Sequence, residues 1–231
     1  MPMTLLTAYN ANSKVAKNEK LGVAGTVLHL APANISGYEV CQGSSQGCRD
    51  ACLHYAGNPA YFNNKTKARI ARTKLFFEDR DTFMAQLHKE ITAHVRKAHR
   101  LGLKPAIRLN GTSDIVWERK PVLDKPNIMA HFPDVQFYDY TKLFRPHDVP
   151  NYHLTFSLSE TNVDKAHAAI ASGWNIAAVF SGGLPKQYLG LPVIDGDETD
   201  YRPADPKGCV VGLKVKGPKG KSDDSGFVLL L

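Results

Sequence analysis

Cys41, Cys48 and Cys52 are the residues whose type and spacing point most directly to chemistry. Three of the chain's four cysteines fall in one short stretch, Cys41-Gln-Gly-Ser-Ser-Gln-Gly-Cys48-Arg-Asp-Ala-Cys52, spaced C-x6-C-x3-C. Two glycines and two serines make the first gap a loop, and a helix is expected to begin near Cys48. Thiolates are soft ligands that suit zinc and iron–sulfur clusters alike. Structural zinc takes four ligands, commonly from paired C-x2–4-C knuckles, and this stretch supplies one such pair plus a third cysteine. Three thiolates on one loop leave one corner of a [4Fe-4S] cubane open to a small molecule, so a cluster is the leading expectation. Zinc and unliganded buried thiols are the alternatives. His54, two residues past Cys52, is a candidate zinc ligand, but reads first as a residue behind the ligands or on the surface. Cys209, just before Val210-Val-Gly-Leu213, reads as a small buried residue able in principle to complete a site.

The elements that must position these residues read as an α/β chain. An apolar run, Gly25 to Ala31, predicts a buried strand before the cysteine loop. Met3 to Ala8 reads as an edge strand, and His54 to Asn64, with Gly57, Pro59 and Asn63-Asn64, as loop. Helical periodicity begins near Lys65. Phe83, Leu87, Ile91, Val95 and Ala98 then mark a long helix over 81–101, capped by Asp81 and stopped by Gly102. Strands are predicted over 105–109, 135–140, 152–158, 175–180, 191–194 and 209–215. Helices are expected in 121–131 and 163–172, and a mobile or surface loop over 214–224. Alternation of this kind implies a parallel sheet with right-handed crossovers. The predicted architecture is one α/β domain over 1–231, a partial or irregular (β/α) barrel, with chemistry at the carboxyl ends of the strands.

With 231 residues, 43% of them hydrophobic, the chain can bury a core and falls outside the disordered range. No apolar run approaches the ~20 residues that span a bilayer, and the start of the chain does not read as a signal peptide. The expectation is a cytoplasmic protein without membrane contact, in a compartment where clustered thiols bind metal more often than they pair. The formal charge of +7 permits attraction to polyanions. Lys65, Lys67, Arg69, Arg72 and Lys74 crowd one helix, with Tyr55 and Tyr61 just before it. Together they form a candidate nucleic-acid surface, which a solvated helix face would imitate. No oligomeric state is legible.

Several phrases carry a resemblance: Gly37-Tyr-Glu-Val-Cys41, Arg108-Leu-Asn-Gly-Thr-Ser-Asp114, Phe137-Tyr-Asp-Tyr-Thr-Lys142, Asn151-Tyr-His-Leu-Thr-Phe-Ser157 and Val193-Ile-Asp-Gly-Asp197. By these the chain resembles the phage-encoded gene product 88 family over nearly its whole length. More distantly, the order of Cys41, Cys48, Cys52, Ser113-Asp114, Tyr140-Thr-Lys142 and Ser157-Leu-Ser-Glu160 is similar to radical-SAM-like phage proteins. Those proteins carry a C-x6-C-x2-C loop after the first strand, whereas radical SAM enzymes usually use C-x3-C-x2-C, with both gaps shorter than the ones here.

That second resemblance implies a radical-SAM-like enzyme with a [4Fe-4S] cluster, acting on a nucleotide, nucleic acid or peptide in the host cytoplasm. By it, Asn110, Thr112, Ser113 and Asp114 would hold the amino acid end of S-adenosylmethionine. Lys142, Ser157, Ser159 and Glu160 would line the next wall, and Asp195 and Asp197 would face the same mouth. Lys142, Glu160 and Asp195 are the catalytic candidates, since a lysine or carboxylate in a partly buried mouth has a shifted pKa. Each has a structural alternative: Asp114 and Ser159 as helix caps, Asp195-Gly-Asp197 as a turn. A non-catalytic iron–sulfur binding protein, and a zinc-containing barrel base-exchange enzyme with Asp114 or Asp195 as nucleophile, are the competing functions.

Overall fold

A computed structural model describes residues 3–9, 11–57 and 61–231. The first short helix, α1 (Ser13–Ala16), is capped by the Asn12 side chain and runs through a 3-10 turn into strand β1 (Val23–Val27). The cysteine stretch contains α2 (Gln46–Asp50), and two long helices follow, α3 (Phe62–Glu78) and α4 (Arg80–Arg100). Next come β2 (Lys104–Arg108), β3 (Gln136–Thr141), β4 (Tyr152–Ser157), α5 (Val163–Ala171) and β5 (Ile176–Ser181). The chain ends in β6 (Gln187–Tyr188), β7 (Leu191–Asp195), β8 (Val210–Lys214), α6 (Gly217–Lys221) and β9 (Val228–Leu230).

The expected mixed α/β architecture is present. Among the described residues nine strands form one sheet, ordered β1-β2-β3-β4-β5-β8-β7-β6 with β9 off this path beside β5, and every strand pairing but β6 with β7 is parallel. Strand β5 gives one edge to β8. Its other edge is shared, by β4 at Ile176 and Ala177 and by β9 at Val179 to Ser181. Alternate residues then serve two faces. Ile107 and Phe137 pack with Phe76, Phe83 and Leu87 beneath α3 and α4, while Phe156, Ile176 and Phe180 pack beneath α5.

The other face is polar where the edges approach. Arg108 donates from Nη1 to Asp200 Oδ1 at 3.1 Å, and Tyr138 donates its hydroxyl to Asp200 Oδ2 at 3.1 Å. Asp200 N–H reaches Asn18 Oδ1 at 2.8 Å, and Lys17 Nζ reaches Asp197 O at 2.8 Å. Among the described residues β1 and β7 do not pair. These side chains tie the segment before β1 to the loop after β7 in place of a ladder.

Some local expectations are corrected. Residues 121–131 contain no α-helix: Pro121 and Pro126 break the pattern, leaving a Val122–Lys125 bridge and a 3-10 turn at Met129–His131. Asp79, not Asp81, caps α4, accepting from Thr82 N–H at 3.1 Å. Met3 to Ala8 forms a single bridge, Leu6 to Leu28, and Asn63-Asn64 lie inside α3. Part of the expected 54–64 loop, Pro59 included, lies outside the described residues. Residues 214–224, expected as a loop, contain α6.

Two outcomes follow from buried charge. Removing one partner of a buried pair leaves a bare charge, so Asp200→Ala should cost about 3–5 kcal/mol in urea unfolding; a loss under ~1 kcal/mol would contradict the pairing. Burial alone would raise the Glu118 carboxyl, but the facing His147 ring and the Arg145 guanidinium at 2.6 Å outweigh it and hold Glu118 at about 2. A carboxyl depressed from 4.5 contributes stability that is full above about pH 4.5 and is lost as pH falls through about 2. Glu118→Gln should flatten the acid limb of the stability profile between those values.

Candidate metal centre

The cysteine stretch is mounted on the mouth of the sheet by one carboxylate. After β1 the chain passes Leu28 and Leu30, both fully buried, and turns at Ala33, which sits in the left-handed region at φ 49°. A non-glycine residue there carries strain of about 1–3 kcal/mol. Its position aims Ala33 N–H at Cys41 Sγ, 3.3 Å away. Ser45 caps α2, accepting from Cys48 N–H at 3.2 Å and donating to Glu160 Oε2 at 2.7 Å. Glu160 Oε1 accepts from Gly47 N–H at 3.0 Å. A side chain at 47 would meet Ser225 Oγ, Phe227 Cβ and Glu160 Oε1, so glycine is required by close approach.

The three thiols line one cavity of about 460 Å³ at the carboxyl ends of the strands. All four cysteines are free thiols, and Cys209 lies elsewhere, fully buried with its Sγ donating to Pro206 O. Among the described residues no three His, Cys, Asp or Glu side chains are gathered closely enough to hold an ion. Burial, with Cys52, Cys48 and Asp114 nearby, pushes the Cys41 thiol up to about 12. Burial also raises Cys52, against its hydrogen bond from His54 N–H and the positive charges of Arg69 and Lys142. Metal ligation removes such protons outright.

Two cations stand beside the thiols. Arg69 and Lys142 are each 8% exposed. Arg69 donates from Nη1 to His54 Nδ1 at 2.7 Å, and Lys142 donates from Nζ to Ser157 Oγ at 2.7 Å. Neither forms an ion pair among the described residues. His54 is fully buried and held neutral, its pKa lowered to about 4 by burial and by Arg69. Its Nε2 faces Thr66 Oγ1 at 3.2 Å, so both ring nitrogens are engaged. It is neither a ligand nor a surface residue; it positions Arg69.

The other nominated residues divide sharply. Lys142, Asp114 and Ser157 line the cavity with the cysteines. Asn110 and Thr112 line it too, but their polar atoms are spent. Asn110 Oδ1 accepts from Ser113 Oγ, Ile115 N–H and Trp117 Nε1, and Thr112 donates to Leu30 O at 2.6 Å. Asp114 caps no helix: its Oδ2 accepts from Lys142 N–H at 2.8 Å, and its Oδ1 is buried without a partner among the described residues. Ser159 is buried against Asn162, and Glu160 is consumed by the cysteine loop. Asp195 pairs with Lys214 at 2.9 Å outside the cavity, whereas Asp197 lines it.

The basic face of α3 is also spent inward. Lys65 donates to His54 O, Arg72 to Thr4 O, and Arg69 points at the cavity; only Lys67 and Lys74 of that group stay exposed. Sequence reasoning missed Arg108, His29, Tyr140 and Phe227 as cavity residues. Arg108 could have been found, because an arginine within an apolar strand must be paired when buried. Phe227 carried no signal, since its place depends on β9 crossing to β5.

Glu160→Ala removes two charge-assisted hydrogen bonds and should cost about 2–3 kcal/mol in denaturant unfolding. The same variant should speed modification of Cys48 by a thiol reagent; unchanged stability and reactivity would show that the carboxylate does not hold the loop. No curated protein and no solved structure matches the chain. The sequence profile described as Gene product 88 matches residues 4–229, nearly all of it, and the chain belongs to the gene product 88 family.

Proposed function

We propose that the protein holds a [4Fe-4S] cluster on Cys41, Cys48 and Cys52 and uses it in single-electron chemistry of radical-SAM type. One observation supports this above the others. Arg69 and Lys142 are buried beside three thiols, and neither forms an ion pair among the described residues. Two bare cations in a low-dielectric wall are costly unless an anion joins them, and thiolates holding a metal centre are such anions. The N–H groups of Ala33 and His54, aimed at Cys41 and Cys52, are the kind of contact that tunes a cluster's potential.

The number of thiols favours a cluster over structural zinc, which takes four ligands where the cavity offers three cysteines. One tetrahedral ion with bonds of about 2.3 Å would draw its sulfurs to within about 4 Å of each other. A cubane stands between its thiolates and needs them spread around a cavity. When bound, it supplies one-electron transfer, with its fourth iron open to a small ligand.

In this reading the curled parallel sheet is a partial (β/α) barrel with its chemistry at the strand carboxyl ends. S-adenosylmethionine is the small ligand implied by the more distant radical-SAM-like resemblance. Of the residues nominated for it, Asp114 retains a free carboxyl oxygen, while Asn110, Thr112 and Ser113 shape the turn that presents it. Lys142 balances charge, and Glu160 positions the cysteine loop. A reducing compartment such as a host cytoplasm suits four free thiols.

Protein purified and reconstituted without oxygen should be brown, with a broad absorbance near 400 nm, a rough expectation for thiolate-bound clusters. Cys41→Ser, Cys48→Ser and Cys52→Ser should each abolish it, and Cys209→Ser should not. A colourless protein carrying one zinc would end the reading.

A further inference from the structure

The cavity is larger than its cysteine corner, and the remainder is furnished for a different ligand. Around the cavity, four buried polar atoms lack a partner among the described residues: His29 Nδ1, Arg108 Nε, Tyr140 Oη and, close to Cys41, Asp114 Oδ1. Buried groups of this kind are satisfied in nearly every folded protein unless something else occupies the site. Together they offer donors and acceptors to a polar, uncharged edge. The Arg108 guanidinium lies over the Tyr140 ring at 4.7 Å, so that wall is flat and stacked.

The rim offers something else. Between Lys214 and Lys221 four lysines, Lys214, Lys216, Lys219 and Lys221, are exposed. Lys214 and Lys216 line the cavity themselves. Their pairs with Asp195 and Asp197 are solvent-exposed, with the lysine side chains 56% and 45% accessible. Such pairs hold weakly, and each ammonium keeps further donors for an incoming anion. Lys219 sits 3.9 Å above the Tyr55 ring. Helix α6 carries this band against the end of the cysteine stretch: a side chain at Gly217 would meet Ala56, and one at Gly220 would meet Val215 and touch Ala51.

We infer that this cavity binds one nucleotide of a single-stranded nucleic acid, its base against His29, Asp114 and Tyr140 and its flanking phosphates on Lys214, Lys216, Lys219 and Lys221. The volume of about 460 Å³ lies within the ~300–1,000 Å³ of small-ligand sites. Phosphates recruit lysine without regard to sequence, and an extruded base brings the hydrogen-bonding edge that the wall lacks. The inference deepens the cluster reading, since the nucleotide would lie beside the proposed metal; the two readings share Asp114 and otherwise rest on different residues. It also moves the nucleic-acid surface from the outer face of α3 to the mouth.

The test is fluorescence anisotropy with labelled single-stranded DNA and RNA of about ten nucleotides, a free mononucleotide, and polyglutamate. Lys214, Lys216, Lys219 and Lys221 replaced together by Gln should weaken strand binding at least ~tenfold and lower the salt slope by about 3. Lys67→Gln with Lys74→Gln should change neither. Tyr140→Phe removes a hydroxyl that has no internal partner, so the fold is kept; strand binding should weaken about fivefold, polyglutamate binding not at all. A free mononucleotide that binds as tightly as the strand would overturn the role of the flanking phosphates. Equal strand affinity in wild type and Tyr140→Phe would overturn insertion of a base, and binding unaffected by the four substitutions would overturn the rim. Iron content measured on the same samples keeps the readings apart. Strand binding without iron removes the cluster and leaves this inference, and iron without strand binding does the reverse.

Discussion

The ion pair between Arg108 and Asp200 is the interaction on which the cavity depends. The segment before β1 and the loop after β7 meet without a ladder, and the place where they meet is filled by polar and charged groups. Asp200 accepts from Arg108 and Tyr138, while its backbone is held by Asn18 of the segment before β1. Three regions distant in sequence meet on this residue. Such a network is costly to bury and is held by pairing its charges, although Arg108 Nε has no hydrogen-bond partner among the described residues. The pair sits at the cavity wall, with Arg108 and Asp200 both among its lining residues. What fastens the sheet's edges also shapes the site.

At the opposite wall the same logic appears with one component missing. Glu160 satisfies the start of α2 and fixes Cys48, and His54 fixes Arg69. The supporting contacts of the cysteine loop are complete. Its charges are not, because Arg69 and Lys142 face thiols that burial keeps protonated in the absence of a metal. A wall with finished geometry and unfinished electrostatics is what a site for an anionic centre requires.

Much of this was legible in the sequence, and the rest was not for physical reasons. Long periodic elements such as α4, and strands ending in polar residues, follow from local pattern, as does the gathering of Cys41, Cys48 and Cys52 in one stretch. Residue types that serve equally as caps, turns and catalysts could not be sorted: Glu160 and Asp195 resemble each other in sequence, yet one is internal to the loop mount and the other lies on the surface. The basic run on α3 looked exposed because charge is usually solvated, whereas Arg69 and Lys65 reach inward to His54. The α6–β9 segment, which supplies Phe227 and the lysine rim, owes its position to pairing with β5, a long-range contact with no local signature.

The most direct measurement is the iron and acid-labile sulfide content of anaerobically purified, reconstituted protein, read against zinc. About four irons and four sulfides per chain, lost in the Cys48→Ser variant, are the predicted result. One zinc per chain, or no metal retained by a folded protein under those conditions, would contradict it.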